Sequence, residues 1–185
     1  YQLTEGRITS SQIEKRFLHS VGLEVWALQS VSLVRDADGQ PLHYIFQIQD
    51  VTERKEAEEK IYHAAFHDGL TGLPNRMLLN DRLEQGVANA ARKRSRLAFM
   101  FIDLDRFKII NDTCGHGAGD DLLRQVTALL NSKLRTRDTL ARLGGNEFGI
   151  ILEHCPEEEA LQVANTLREL VQDFRFQWHD RTFSI

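Results

Sequence analysis

Three carboxylates stand where a folded chain could bring them together. Asp103 lies at the carboxyl end of an apolar run, and Asp105 follows it two positions later. Glu147 comes just after two glycines that predict the tip of a hairpin. A sheet can set a strand end beside a hairpin tip, and oxygen ligands gathered there suit Mg²⁺. The other reading is a set of exposed acidic residues at loop ends, and spacing alone leaves both open.

The elements that must position these carboxylates are visible in the apolar pattern. Residues 97–104 form a continuous apolar run, typical of a strand covered on both faces. Residues 140–152 predict a hairpin around Gly144 and Gly145, which can take positive φ in a tight turn. A helix is predicted over residues 120–134, with one apolar side made of Leu122, Leu123, Val126, Leu129, Leu130 and Leu134.

Two more helices and a second hairpin complete this part of the chain. Asn75 can cap a helix whose apolar face carries Leu79, Leu83, Val87 and Ala90. Pro156 opens another helix, whose three glutamates in the first turn favour the helix dipole. Residues 174–178 and 182–185 predict a hairpin. The sum is an α/β (α+β) domain with helices packed around a central sheet.

The beginning of the chain has a different pattern. Residues 24–34 and 42–48 read as two strands around an Asp-Gly turn. Two or three strands bury too little to be stable alone, so we expect them to belong to a larger sheet domain. Residues 52–60 are dense in Glu, Lys and Arg, and Ala57, Ile61 and Ala64 have the spacing of a coiled-coil seam. A solvated connecting helix explains the same pattern.

Composition limits the classes of function. The net charge of −4 gives no basis for nucleic-acid binding. The two cysteines are far apart and match no metal spacing, which favours a reducing, cytoplasmic location for this stretch. The sequence starts without Met and stops inside a predicted strand. We therefore expect a piece of a longer protein, which could carry a membrane anchor elsewhere.

Four segments together resemble the GGDEF (diguanylate cyclase) domain family. Residues 68–76, DGLTGLPNR, are similar to its opening signature, and residues 101–112, FIDLDRFKIIND, to its metal and substrate strand. The pattern continues with Gly115-His116 and Gly119-Asp120, and residues 144–148, GGNEF, occupy the naming motif. The N-terminal piece resembles the closing strands of a PAS sensor domain, ending in IQDVTERK.

The resemblance implies a domain order and a reaction. It implies the C-terminal part of a PAS domain over residues 1–51, a connecting signalling helix over 52–66, and a GGDEF domain over 67–185 that is incomplete at its C-terminus. The GGDEF fold would be a mostly antiparallel sheet surrounded by helices, as in nucleotide cyclases. Two subunits of a homodimer, each holding one GTP, would condense two GTP into cyclic di-GMP and pyrophosphate.

The family also implies roles for individual residues. Asp103, the Leu104 carbonyl and Glu147 would hold Mg²⁺ or Mn²⁺, while Glu147, Asn146 and Lys108 would form the catalytic set. Such chemistry relies on positioned cations that stabilise developing charge.

Substrate recognition would use two helices. Asn111 and Asp120 would read the guanine base, and Phe107 and Lys108 would lie by the phosphates. A carboxylate is suited to accept hydrogen bonds from the N1–H and amine of guanine. Helix or turn capping is the alternative role for Asn111 and Asp120.

Asn146 departs from the family, which has Asp or Glu there. An amide binds Mg²⁺ less strongly than a carboxylate and cannot act as a general base. Even lost second-shell support of a metal costs about 10–100-fold. We therefore expect a PAS-linked GGDEF signalling domain that binds GTP, with cyclase activity weakened or lost. The alternative is an active diguanylate cyclase regulated by the PAS domain and by its product.

Product would act at Arg135 and Asp138, which match the family's Arg-x-x-Asp inhibitory site at the usual distance before the glycine pair. Alone, such a pattern commonly marks a surface ion pair. In this register it predicts a cyclic di-GMP site. An EAL phosphodiesterase domain is one candidate for the chain downstream.

Overall fold

The chain divides into two units within one helix. The computed structural model describes residues 10–185, and positions 1–9 of the predicted PAS segment lie outside the described residues. The first unit ends at His63 and the second spans Ala64–Ile185. Helix α1 (Thr52–Phe66) occupies the residues for which a connecting helix is predicted.

The described part of the first unit is an antiparallel sheet in the order β1-β2-β3. Its strands are β1 (Ser10–Leu18), β2 (Glu24–Arg35) and β3 (Pro41–Asp50). The predicted turn between β2 and β3 forms because the Asp36 carboxylate accepts from the backbone N–H groups two and four residues on, at 3.0 and 2.8 Å. Gly39 takes a φ of 79° there, which a side chain would oppose.

The start of α1 is fixed to the sheet of the first unit. The Trp26 N–H donates to the Thr52 hydroxyl at 2.9 Å, and the Thr52 N–H donates to Asp50 at 2.9 Å. Glu14 pairs with both Arg54 and Lys55 at 2.6 Å. These contacts set where the helix begins.

The second unit contains an antiparallel sheet in the order β4-β6-β5 and a separate hairpin, β7-β8. Its elements, in chain order, are α2 (Arg76–Lys93), β4 (Leu97–Asp103), α3 (Phe107–Cys114), α4 (His116–Asn131), β5 (Thr139–Gly144), β6 (Glu147–Glu153), α5 (Glu157–Asp173), β7 (Arg175–Trp178) and β8 (Arg181–Ser184). The expected α/β class is confirmed. The prediction of a single strand over residues 101–112 is wrong. Strand β4 ends at Asp103, and helix α3 begins at Phe107.

The core of the second unit lies between α4, α5 and one face of the sheet. The buried apolar side chains include Leu122, Leu123, Val126, Leu130, Leu140, Phe148, Ile150, Leu152, Leu167 and Phe176. Leu134 packs against this core only partly buried. No helix within residues 10–185 is both long and apolar enough to span a bilayer.

Two packing predictions are wrong. Strand β4 is not covered on both faces, since Phe99 and Phe101 keep 45% and 55% of their surface exposed. Val87 is 55% exposed, and Gly86 is buried in its place. At 3.6 residues per turn, the seventh residue after Leu79 lies within about 20° of its direction, whereas the eighth lies about 80° round, at the edge of that face. A Cβ on Gly86 would lie 2.5 Å from Leu97 Cδ1, so the helix approaches the sheet there.

Truncating a core leucine of α4 tests this packing. Leu122 is 0% exposed, so Leu122→Ala should lower the free energy of unfolding of the second unit by about 2–5 kcal/mol. Leu161→Ala removes the same atoms from a side chain that is 63% exposed and should change it by less than about 0.5 kcal/mol. Urea denaturation followed by circular dichroism measures both. Equal effects would show that Leu122 does not belong to the core.

Candidate functional site

Strand pairing brings Asp103 and Glu147 to the same end of the sheet. β6 pairs with β4 along its whole length, and Asp103 lies opposite Glu147 in the last pair. β5 and β6 join at the predicted hairpin, where Gly144 and Gly145 have φ values of 139° and 53°. Glycine is needed at both positions, because side chains rarely adopt this backbone conformation.

The Asn146 amide lies against the end of β4. Its Nδ2 donates to Asp103 Oδ1 and, at 2.9 Å, to the Leu104 carbonyl oxygen. The Leu104 N–H donates back to the Asn146 carbonyl at 3.2 Å. One NH₂ group therefore occupies the point that the two oxygens of the expected metal set share.

The Glu147 carboxylate has a different partner. Its Oε2 accepts a long hydrogen bond from Arg76 Nη2 at 3.4 Å, and the same nitrogen lies 3.4 Å from the Leu143 carbonyl oxygen. Within residues 10–185, no group of three His, Cys, Asp or Glu side chains could hold a metal ion. Of the expected metal set, the structure thus brings Asp103 and Leu104 to one point and pairs Glu147 with Arg76.

The donor set at this point fits a hydrogen-bond donor and not a cation. Two oxygens converge there, as a divalent cation requires. The third group presents N–H bonds, which repel a cation, and it carries no negative charge. Only a turned Asn146 amide would offer its own oxygen.

A second cluster forms where α3 packs on α4. Gly119 is buried, and a Cβ built on it would clash with Asn111 Oδ1 and lie 3.3 Å from Phe107 Cε2. Asn111 Oδ1 is buried and accepts no hydrogen bond within the described residues. Asp120 follows directly in α4 and is half-buried, while Lys108 lies exposed on α3.

Capping does not explain the two guanine candidates. Both lie inside helices, and neither α3 nor α4 has a side chain that hydrogen-bonds its N-terminus. An unpaired buried acceptor costs about 1–3 kcal/mol, which in native proteins calls for an explanation such as a ligand. The capping alternative is therefore wrong, and the expected role of Asn111 and Asp120 in binding stays open.

A cavity of about 750 Å³ opens beside the end of β4. Asp103, Asp105 and Arg106 line it, together with Arg168 and Arg175, which sequence motifs do not mark. The cavity thus combines carboxylates with guanidinium groups. Asn111, Asp120 and Glu147 are not among the residues that line it.

The position of the glycine turn is fixed by Arg142. Its Nη1 donates to both oxygens of Asp68, at 3.0 and 3.1 Å, and its Nη2 donates to the Gly145 carbonyl at 2.8 Å. Burial alone would raise the pKa of Asp68, but hydrogen bonds from Thr71 and Arg142 outweigh it and hold that pKa below its usual value. The sequence singled out Asp68 within its motif but gave no sign of Arg142.

The expected inhibitory pair lies in the turn before β5. The Arg135 N–H donates to Asp138 Oδ2 at 3.0 Å, and the Asp138 N–H donates to the Arg135 carbonyl at 2.9 Å. The Arg135 guanidinium pairs with Glu159 of α5. The two residues are therefore adjacent, but the Arg135 guanidinium already has an anionic partner.

Comparison with known proteins decides the family. A family model for the diguanylate cyclase GGDEF domain matches residues 65–185. The chain belongs to the GGDEF domain family. The chain is similar to a probable diguanylate cyclase, DgcE of Escherichia coli, with 40% identity over 84% of this chain and 14% of that protein. It is also similar to MucR of Pseudomonas aeruginosa, a bifunctional diguanylate cyclase and cyclic di-GMP phosphodiesterase, with 42% identity over 70% of this chain and 19% of that protein.

Solved structures match the fold. The coiled coil and GGDEF domain of DgcB from Caulobacter crescentus, in complex with cyclic di-GMP, has a TM-score of 0.66 at 27% identity, covering 72% of this chain and 70% of that one. The GGDEF domain of TpbB from Pseudomonas aeruginosa has a TM-score of 0.61 at 39% identity, covering 64% and 69%. The chain spans only 14% and 19% of the first two curated relatives.

The Asp68–Arg142 pair makes the stability of this GGDEF domain sensitive to acid. The pKa of Asp68 is lower in the folded than in the unfolded state, so its contribution is complete above the unfolded pKa of about 3.9. It is lost as the pH falls through the folded pKa. Asp68→Asn should cost about 1–3 kcal/mol at pH 7 and much less at about pH 2.

Urea denaturation from pH 7 to pH 2 checks whether the stabilities of the wild type and Asp68→Asn become equal as the pH falls. Asp81→Asn, an exposed position in α2, is the matched control and should track the wild type throughout. A difference between wild type and Asp68→Asn that stays constant across the range would contradict the role of the ionised pair.

Proposed function

We propose that this chain is a GTP-binding GGDEF module of cyclic di-GMP signalling whose diguanylate cyclase activity is weak or absent. The observation that carries the proposal is the Asn146 amide, which donates to both Asp103 and the Leu104 carbonyl. The amide would have to turn or move before Asp103 Oδ1 and the Leu104 carbonyl could hold Mg²⁺ or Mn²⁺ together.

Electrostatics explains why the change weakens catalysis more than binding. Condensing two triphosphates concentrates negative charge, which cations must stabilise in the transition state. Asn146 supplies no charge, and it cannot take a proton from a 3′-hydroxyl as a carboxylate can. Glu147 instead forms a long, exposed ion pair with Arg76 at 3.4 Å, which partly offsets its charge.

Guanine recognition does not depend on Asn146. Asn111, with its unpaired buried oxygen, and Asp120 lie at the α3–α4 contact, where Gly119 leaves the space that the Asn111 amide occupies. These groups can exchange hydrogen bonds with the base edge, and Lys108 on the adjoining helix can meet phosphate. GTP binding is therefore proposed to survive the loss of turnover.

The first unit is proposed to be the closing part of a PAS domain that regulates this module through α1. The antiparallel sheet and the fixed start of α1 support a sensor joined to a signalling helix. Ile61 and Tyr62 are 70% and 54% exposed on that helix and would meet a second copy in a homodimer. MucR, which joins both activities in one chain, supports a phosphodiesterase domain in the longer protein.

Restoring a carboxylate should restore turnover. We expect Asn146→Asp to raise cyclic di-GMP production from GTP and Mg²⁺ by about 10–100-fold in the full-length protein, while the affinity for GTP changes by less than about 3-fold. Chromatographic detection of product and calorimetry with a non-hydrolysable GTP analogue measure the two quantities.

Asn131→Asp, at the exposed end of α4, controls for the added charge and should leave production unchanged. If the wild type already turns over as fast as Asn146→Asp, the chain is an active cyclase, and the argument from the missing carboxylate is wrong.

Removing the guanine-reading carboxylate tests nucleotide binding separately. Asp120→Asn loses an acceptor for two guanine N–H groups, so we expect GTP affinity to fall about 10-fold or more. Affinity for ATP should not change in parallel. Asp121→Asn removes the same charge one residue later, where the carboxylate accepts from Gln125 at 2.8 Å, and should bind GTP normally. Equal losses in both variants would assign the effect to net charge.

A further inference from the structure

The turn at residues 135–138 holds a cation and an anion in a fixed relation. Two reciprocal hydrogen bonds, at 2.9 and 3.0 Å, close the turn between Arg135 and Asp138 through backbone groups and one carboxylate oxygen. The turn can therefore keep its shape without help from the guanidinium. The Arg135 side chain is 53% exposed and accessible to a ligand from solvent.

Glu159 engages that guanidinium from the first turn of α5. Its Oε1 accepts from Arg135 Nη2, and its side chain is 32% exposed. Hydrogen bonding and charge from Glu159 raise the pKa of Arg135. Cys155, buried at the end of β6, lies within range of the same charges: burial raises the pKa of its thiol, Glu159 adds to the rise and Arg135 opposes it.

We infer that Glu159 is a built-in competitor that occupies Nη2 of Arg135 and weakens the binding of an anionic ligand there. The inference rests on the proposed role in cyclic di-GMP signalling and on the product site that the sequence predicts at Arg135 and Asp138, whose ligand is a cyclic dinucleotide with two phosphodiesters. A guanidinium binds carboxylate and phosphate through the same planar set of N–H donors, so a phosphate that uses Nη2 of Arg135 competes with Glu159 for that nitrogen.

Charge adds to this competition. Glu159 is one of three consecutive glutamates at the start of α5, so a released Glu159 still repels the phosphates of the ligand. The helix dipole favours glutamates there, which gives their position a stabilising role independent of Arg135. The contact between Glu159 and Arg135 is what distinguishes Glu159 from its neighbours.

Removing the Glu159 charge should strengthen ligand binding by a limited amount. Exposed ion pairs are weak, so the expected gain in cyclic di-GMP affinity for Glu159→Gln is about 3- to 10-fold. The gain should shrink as ionic strength rises, because salt screens exposed charges. Glu159→Asp keeps the charge but shortens the reach to Arg135, so an intermediate gain is expected.

Titration calorimetry with cyclic di-GMP on the full-length protein tests the inference. Glu158→Gln removes the same charge from the adjacent, exposed residue and should change affinity by less than about 2-fold. Arg135→Ala should abolish binding with or without the Glu159→Gln change. Thermal melts of every variant establish that each is folded, and Glu159→Asp serves if Glu159→Gln is not.

Each outcome decides the inference. A selective gain for Glu159→Gln supports it. Unchanged or weaker binding overturns it, as does an equal gain for Glu158→Gln, and so does a failure of both the wild type and Glu159→Gln to bind cyclic di-GMP. Binding of a GTP analogue, measured in the same samples, separates the two ideas. If the wild type does not bind the GTP analogue, the proposed function is wrong. If it does bind the analogue, the proposed function is unaffected by the result with cyclic di-GMP.

Discussion

The candidate site depends on one guanidinium group. Arg142 reaches from β5 to both oxygens of Asp68 and to the Gly145 carbonyl, and its side chain is only 12% exposed. Strand pairing brings the glycine turn to the end of the sheet, and a side chain from β5 adds a contact that the glycines themselves cannot make. Arg142 does this and ties the turn to the segment before α2. Once Gly145 is fixed, the amide of the next residue reaches the end of β4.

An asparagine at position 146 changes what holds that end together. Carboxylates gathered at one point repel each other unless a cation lies between them. The Asn146 amide removes one negative charge and hydrogen-bonds to Asp103 and the Leu104 carbonyl. The turn is thereby bonded to β4 by the chain itself.

Local signals in the sequence predicted elements well and long-range contacts poorly. The Asn75 cap forms as expected, accepting from two N–H groups at 2.9 and 3.1 Å, because capping involves only neighbouring residues. The sequence also predicted that Asp103 and Glu147 could come together, because one ends a predicted strand and the other lies at the tip of a predicted hairpin. The Asp68–Arg142 contact joins residues 74 positions apart, and no periodicity encodes it. The exposure of Phe99 depends likewise on which elements cover β4, and an apolar run does not show which of its faces are covered.

Two internal contacts of the second unit involve groups for which ligands are proposed, Asp103 and Arg135. An amide N–H stands where a cation would meet Asp103, and a carboxylate stands where a phosphate would meet Arg135. A ligand then gains only the difference between its own contacts and those that it breaks. Its apparent affinity falls by the fraction of molecules in which the internal contact is open. Weakening one internal contact therefore raises the apparent affinity for the ligand at that position without adding any new contact to it.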